Sequence, residues 1–144
     1  MTISELRVRS NNFVANLNGH IKDVVSLNEK LEQLNKDHLL KSKLSNDASI
    51  SPAYRKSYSN WKRFNYPGSF GDGKPNMFLT GDMFDNMELV SDGVNYEIES
   101  LVSYSANLID KYSDKIFGVA PSNQDKAYAI TTPLLAQKYN TLVL

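Results

Sequence analysis

Three acidic side chains follow a Thr-Gly pair in the middle of the sequence and recur at three-residue intervals. They are Asp82, Asp85 and Glu88, within the stretch NMFLTGDMFDNMELV at residues 76–90. Carboxylates are the ligands that hard cations such as Mg²⁺ prefer. Residues three apart drift around a helix, however, and acidic side chains in a first helical turn are favoured by the helix dipole alone. The pattern therefore favours a short helix with Thr80 as its N-cap over a metal site.

Two other patterns resemble catalytic motifs but lack essential members. Residues 68–74, GSFGDGK, match the first seven positions of a phosphate-binding P-loop, yet Pro75 stands where the motif needs Ser or Thr. The histidines, His20 and His38, have no histidine or cysteine nearby in the sequence. The absence of cysteine excludes thiolate metal sites and disulfides. We expect no enzymatic activity, no catalytic residues, no bound metal and no cofactor.

A third pattern mixes cations with aromatic rings over residues 54–66, which read YRKSYSNWKRFNY. This composition is typical of surfaces that bind single-stranded nucleic acid. It is equally typical of an aromatic stripe that packs on a core or on a neighbouring subunit while the basic groups reach outward to solvent. We favour the second interpretation and predict a subunit or partner interface. Its residues are Tyr54, Arg55, Lys56, Tyr58, Trp61, Lys62 and Arg63.

Charge is unevenly distributed along a chain whose net charge is zero. Residues 1–35 carry four basic and four acidic groups, residues 36–74 eight and three, and residues 75–144 four and nine. A basic middle and an acidic second half could pair between neighbouring copies, or could form two differently charged solvated faces. The sequence shows no signal peptide and no apolar run of the ~18 residues that a membrane span needs, so we predict no membrane contact.

The elements that would position these residues form a single α+β domain over residues 1–144. Residues 1–40 are predicted to be helical, residues 41–76 to form a basic aromatic arm or loop, and residues 77–144 to form a hairpin and C-terminal helices. Thr2 has capping-box spacing to a carboxylate three residues on. Apolar residues at helical intervals then predict one amphipathic helix of about 25 residues, packed on the sheet and ending near residues 39–40. They are Leu17, Ile21, Val24, Leu31 and Leu34.

Ser51 and Pro52 are predicted to be the N-cap and first position of the helix in the basic segment. Farther along, Ser103 could cap a helix that Gly118 ends. Its members would be Tyr104, Leu108, Tyr112 and Ile116. Ser122 and Asp125 have capping-box spacing at the start of a last helix, which Pro133 should break after Thr131.

The hairpin is the most specific local prediction. Asp92 and Gly93 predict a two-residue type I′ turn, which pairs Ser91 with Val94. With this register one face of the hairpin is apolar and the other is acidic, Val90 being the exception. The apolar face would carry Met87, Leu89, Val94, Tyr96 and Ile98, and the polar face Glu88, Asn95, Glu97 and Glu99.

Three segments, taken in order, resemble the small neck proteins of bacteriophages. Residues 38–62, HLLKSKLSNDASISPAYRKSYSNWK, resemble the helix end, turn and Ser-Pro-x-Tyr arm of that family. Residues 75–90 resemble its Leu-Thr-Gly-x-Met/Leu signature, carried here by Leu79, Thr80, Gly81, Asp82 and Met83. Residues 108–123, LIDKYSDKIFGVAPSN, are similar to a segment of versions from the crAss-like phages of Bacteroidetes. Many relatives differ in having glycine at the turn formed here by residues 46–48, and a strand before the first helix.

The resemblance implies a tail-completion or head–tail connector protein, a non-enzymatic structural component of the virion. Such proteins form rings around the DNA channel, between the portal or its adaptors and the tail, without sequence-specific DNA recognition. The expected partners are thus further copies of the chain, portal or adaptor proteins and tail proteins, in a neck assembled in the host cytoplasm. The expected fold is a small twisted antiparallel sheet with a long helix across it and an extended arm. A small nucleic-acid-binding module that uses residues 54–66 is the alternative.

Overall fold

The computed structural model describes residues 1–26, 29–91 and 95–144, in which helices surround one two-stranded antiparallel sheet. This arrangement confirms the predicted α+β class. The elements, in chain order, are α1 (Ile3–Ala15), α2 (Leu17–Ser26), α3 (Lys30–Leu40), α4 (Lys56–Asn65), α5 (Pro67–Phe70), α6 (Asp82–Asp85), β1 (Met87–Ser91), β2 (Tyr96–Ser100), α7 (Ser105–Lys111) and α8 (Gln124–Val143). Single 3₁₀ turns cover Asp114–Ile116 and Pro121–Asn123.

The N-terminal region is a series of helices instead of one long helix. The capping box forms as predicted, with the Thr2 hydroxyl accepting from the Glu5 amide and the Glu5 carboxylate accepting from the Thr2 amide. Helix α1 ends at Asn16, whose side-chain amide donates to the Asn12 carbonyl in competition with the helix ladder. In place of the predicted 25-residue helix the structure has two, α2 and α3, with Glu29 in a turn before α3. Helix α3 ends at Leu40, as expected. Residues 27–28 lie outside the described residues.

These helices pack on both the sheet and the C-terminal helix. Helices α2 and α3 contact β1, which agrees with the prediction that the amphipathic region packs on the sheet, and α1, α2 and α3 all contact α8. A central apolar cluster takes members from every third of the chain. It contains Leu39, Leu44, Ile50, Met83, Phe84, Met87, Ile98 and Ile116.

The hairpin pairs two residues farther along than predicted. Ser91 lies opposite Tyr96, and Met87 lies opposite Ser100, so the pairing of Ser91 with Val94 is wrong. The end of the sheet explains the register, because the Ser100 hydroxyl donates to the Met83 carbonyl at 2.8 Å and so fixes β2 against helix α6. Side chains alternate along a strand, and a shift of two therefore leaves the paired residues of β1 and β2 on their predicted faces. Val94 and the predicted turn residues, Asp92 and Gly93, lie outside the described residues.

The two C-terminal helices differ from prediction in opposite ways. Helix α7 ends at Lys111, and Ile116 lies in the separate 3₁₀ turn that follows. Helix α8 continues through Pro133, so the predicted break after Thr131 is wrong. A proline removes the hydrogen bond to the carbonyl four residues earlier, here that of Ala129, which lies at the exposed side of α8 and is open to water.

Candidate functional site

The basic aromatic segment is a helix and not an extended arm. Helix α4 begins at Lys56, with Arg55 in extended conformation as its N-cap, so the predicted start at Ser51 and Pro52 is wrong. Contacts with residues farther along the chain explain the later start of the helix. The Tyr54 hydroxyl accepts hydrogen bonds from the Lys62 amine at 3.1 Å and from the Asn76 amide at 3.3 Å, which holds the chain before the helix in place.

Helix α4 has two faces with different surroundings. Successive residues turn by about 100° around a helix, which puts Tyr58 and Lys62 on one side and Lys56 and Arg63 on the other. Lys62 is only 1% exposed, so the prediction that the basic groups reach solvent is wrong at this position. Phe64, toward the outer side, is 87% exposed. We call the exposed surface of α4 the basic face; it consists of Arg55, Lys56, Asn60, Arg63 and Phe64.

The buried Lys62 amine is held by neutral oxygens. It donates to the Asn76 side-chain oxygen at 2.8 Å and to the Tyr54 hydroxyl, and it lies 5.0 Å from the centre of the Tyr54 ring. Asn76 is fixed in turn because its amide group donates to the Ser69 carbonyl at 3.0 Å. Burial lowers the pKa of the Lys62 amine to about 8 and raises the pKa of the Tyr54 hydroxyl to about 12.

The inner side of α4 forms one wall of a cleft of about 460 Å³. Helix α7 and residues 77–83 form the other walls, so the structure brings together the basic aromatic segment and the Leu-Thr-Gly motif. The cleft is lined by Tyr54, Tyr58, Tyr104 and Tyr112, by the apolar Met77, Phe78, Leu79, Met83 and Leu108, and by Lys62, Thr80, Gly81, Asp82 and Lys111. We call it the tyrosine cleft. Sequence reasoning missed Asn76 and the roles of Tyr104 and Tyr112 here, although the four-residue spacing along α7 was a usable signal.

The Thr-Gly turn shapes the wall of the cleft that faces α4. Gly81 has a φ of 93°, the left-handed conformation that glycine adopts readily, and is the N-cap of α6. A side chain at this position would place its Cβ 3.3 Å from the Phe78 ring. Thr80 is one residue too early to be the predicted cap, and its hydroxyl accepts from the Asp82 amide at 3.4 Å. Met83 and Phe84 are buried in the central apolar cluster and so anchor this segment.

The hairpin presents an acidic surface to solvent. Glu88 lies directly opposite Glu99, and Val90 lies opposite Glu97, with all four side chains exposed. Like charges directly opposite each other in a sheet are destabilising unless a cation lies nearby. We call this surface the acidic face; it consists of Glu88, Val90, Glu97 and Glu99.

The histidines have structural contacts. His38 lies 2.9 Å from the Asp47 carboxylate, which also accepts hydrogen bonds from the Ser122 hydroxyl and amide. A hydrolytic triad needs the imidazole between the carboxylate and the nucleophile, whereas here the carboxylate lies in the middle. The Asp47 carboxylate therefore fixes the start of α8 to the turn after α3. The hydrogen bond from the Ser122 hydroxyl lowers the pKa of Asp47. His20 stacks on the Phe13 ring with centroids 4.4 Å apart.

The remaining sequence motifs do not form sites of their usual kind. Gly68 lies inside helix α5, so residues 68–74 do not have the strand–loop–helix order of a P-loop. Among the described residues no group of histidine and carboxylate side chains is arranged to hold a metal ion. Within that same part of the chain, no helix has both the length and the apolarity to cross a membrane.

Comparison of the chain with models of protein families, with curated proteins and with solved structures finds no match.

Proposed function

We propose that this chain is a structural subunit of the bacteriophage head–tail connector, or neck, and that copies of it join head to tail in a ring around the DNA channel. The observation that supports this best is the presence of two exposed surfaces of opposite charge on one subunit, the basic face of α4 and the acidic face of the hairpin. Portal or adaptor proteins and tail proteins are its proposed partners in the virion, where the ring would connect the phage head with the phage tail.

The two faces match each other in charge, apolar content and length. The basic face carries three cations and the apolar Phe64, and the acidic face carries three carboxylates and the apolar Val90. The ten residues of α4 extend about 15 Å, and the five residues of each strand about 17 Å. Docking the helix along the hairpin of a second copy would therefore cover both apolar side chains and bring each cation near a carboxylate.

The charged groups of these faces are available for such a contact. Among the described residues, ion pairs form elsewhere, as in Lys138 with Asp23 and Lys115 with Asp114, and none involves a charge of either face. A neighbouring cation would also relieve the repulsion between Glu88 and Glu99.

Contact between unlike faces determines the kind of assembly. An isologous dimer would use both contacts at once, with each basic face on the acidic face of the other copy, and would leave no face free for a third subunit. A heterologous contact leaves one basic and one acidic face free at the ends, so subunits add until the ring closes. Closed assembly of this kind is what a channel for DNA requires.

Native mass spectrometry of the pure protein over a range of concentrations tests the proposal. We expect closed oligomers of one copy number, and we expect K56E/R63E, which reverses the basic face, to remain monomeric. The control is R7E/K41E, which makes the same change in net charge at exposed positions outside both faces. Equal assembly by the two variants, or a wild-type protein that stays monomeric at every concentration, would contradict head-to-tail docking.

One observation supports nucleic-acid binding as a second candidate. Helix α4 and its N-cap carry two exposed aromatic rings, Trp61 and Phe64, together with the exposed cations Arg55, Lys56 and Arg63. Aromatic rings among cations can stack with unpaired bases. Binding of single-stranded oligonucleotides that weakens steeply with salt, by a protein that stays monomeric, would favour this candidate over the connector.

A further inference from the structure

We propose that the tyrosine cleft is a binding site for a small aromatic carboxylate, whose carboxylate accepts a hydrogen bond from the buried Lys62 amine. This inference concerns the inner side of α4 and is independent of ring assembly, which involves its outer side. It rests on the charge, the donors and the shape of the cleft.

Lys62 is a buried cation that forms no ion pair with any of the residues that the structure describes. A charged amine in the protein interior is stable only when it is well paired, and the observed partners, Tyr54 and Asn76, supply neutral oxygens alone. An ammonium group has three N–H donors, and these two hydrogen bonds occupy two of them. One donor therefore remains for an oxygen of a ligand in the adjoining cleft.

The charge of the cleft favours an anion. Lys62 and Lys111 contribute two positive charges to its lining, whereas Asp82 contributes one negative charge. Burial raises the pKa of all four tyrosine hydroxyls, so these groups are neutral at pH 7 and can donate hydrogen bonds. A monoanionic ligand would balance the net charge and meet several donors at once.

The walls of the cleft favour a flat apolar body attached to that anion. The rings of Tyr54 and Tyr58 pack edge to face with centroids 4.9 Å apart, and Met77, Phe78 and Leu108 add apolar surface. Aromatic rings of this kind pack well against a further ring. The volume of about 460 Å³ lies in the range of small-ligand pockets.

A matched pair of probes tests the inference on the unaltered protein. Phenylacetate and phenylacetamide have nearly the same shape and differ in charge, and ligand-observed NMR measures the affinity of each. Trp61, the only tryptophan, gives a second readout because its ring lies 5.7 Å from that of Tyr58. We expect saturable binding of phenylacetate, and roughly tenfold weaker binding of the amide because it loses the charge-assisted hydrogen bond. Equal affinities, or no saturable binding of phenylacetate, would overturn the proposal.

Variants and pH then test the role of Lys62. We expect K62M to bind both probes with the weak affinity that the wild type has for the amide. K111M, at the rim of the same cleft, should lose less affinity for phenylacetate than K62M does. Wild-type affinity for phenylacetate should fall as the pH rises past the Lys62 pKa, which is about 8 in the free protein. If K62M fails to fold, the ¹³Cε resonance of Lys62 in the wild type decides the matter. Phenylacetate should raise the pKa that this resonance reports, and an unchanged pKa would refute the contact.

Discussion

Lys62 and Arg63 are consecutive cations on helix α4, yet their surroundings are opposite. Lys62 is enclosed by Tyr54, Asn76 and the wall of the tyrosine cleft, whereas Arg63 is exposed on the basic face. The turn of about 100° per residue separates them. The inner face therefore resembles a ligand site and the outer face a docking surface, although the two have similar residue types.

This difference shows why the composition of the segment predicted a single interface, whereas helix α4 has two distinct surfaces, one lining the tyrosine cleft and one exposed as the basic face. Basic and aromatic residues alternate through residues 54–66, and a list of them cannot separate a buried amine from a solvated one. The helical phase does separate them, because Lys62 lies four residues after Tyr58 and hence on the same side.

The largest effect is expected on the inner side, at the turn that forms the cleft wall. Gly81→Val should lower the free energy of unfolding by about 3 kcal/mol, since a β-branched residue is strained at positive φ and its Cβ would press on Phe78. Urea denaturation measures the change. Gly19→Ala is the control: nothing lies within 4 Å of the added Cβ in helix α2, and alanine should stabilise the protein by up to about 1 kcal/mol. Wild-type stability of Gly81→Val would refute the strained turn.

Neighbouring alanine substitutions compare the two faces directly. Lys62→Ala should cost about 2 kcal/mol, because it removes one hydrogen-bond donor each from the Tyr54 hydroxyl and the Asn76 side-chain oxygen and opens a space along the lysine stem. Arg63→Ala should change the free energy of unfolding by less than about 0.5 kcal/mol, as is usual at an exposed position. Both values come from urea denaturation of each variant at pH 7. Similar losses at the two positions would show that the faces do not differ as described.

A smaller effect should appear in the pH dependence of stability. The pKa of Lys62 is about 8 when folded and near 10.5 when unfolded, so between these values the unfolded chain binds more protons. Stability should therefore rise with pH in this window, by about 1.5 kcal/mol between pH 8 and pH 9.5. The penalty for burying the charge is fully present below pH 8. Denaturation curves of K62M should lack the rise; an equal rise in that variant would assign it to another group.

Local pattern predicted much of the fold. The capping box at Thr2 and the end of α3 at Leu40 follow from residues close in the sequence, and the structure contains both. The faces of the hairpin were also predictable, because strand alternation survives a register shift of two residues. The register itself depends on the Ser100 hydrogen bond to Met83, a contact across 17 positions.

The cleft could not be predicted in the same way. Its key contact joins Lys62 to Asn76, and its far wall comes from Tyr104 and Tyr112, which lie 39 and 47 positions after the end of α4 in the sequence. Such contacts depend on how the chain folds back, which no local pattern records. The continuity of α8 through Pro133 likewise depends on the position of that residue at an exposed side of the helix.

Head-to-tail docking is tested most directly by mixing two variants with opposite reversals. K56E/R63E makes both faces acidic and E97K/E99K makes both faces basic, so each variant should be monomeric alone in native mass spectrometry. Mixed in equal amounts, each face meets a complementary one, and we expect closed rings in which the two variants alternate, with an even copy number. A mixture that stays monomeric while the wild type forms rings, or assembly of either variant alone, would contradict docking of the basic face on the acidic face.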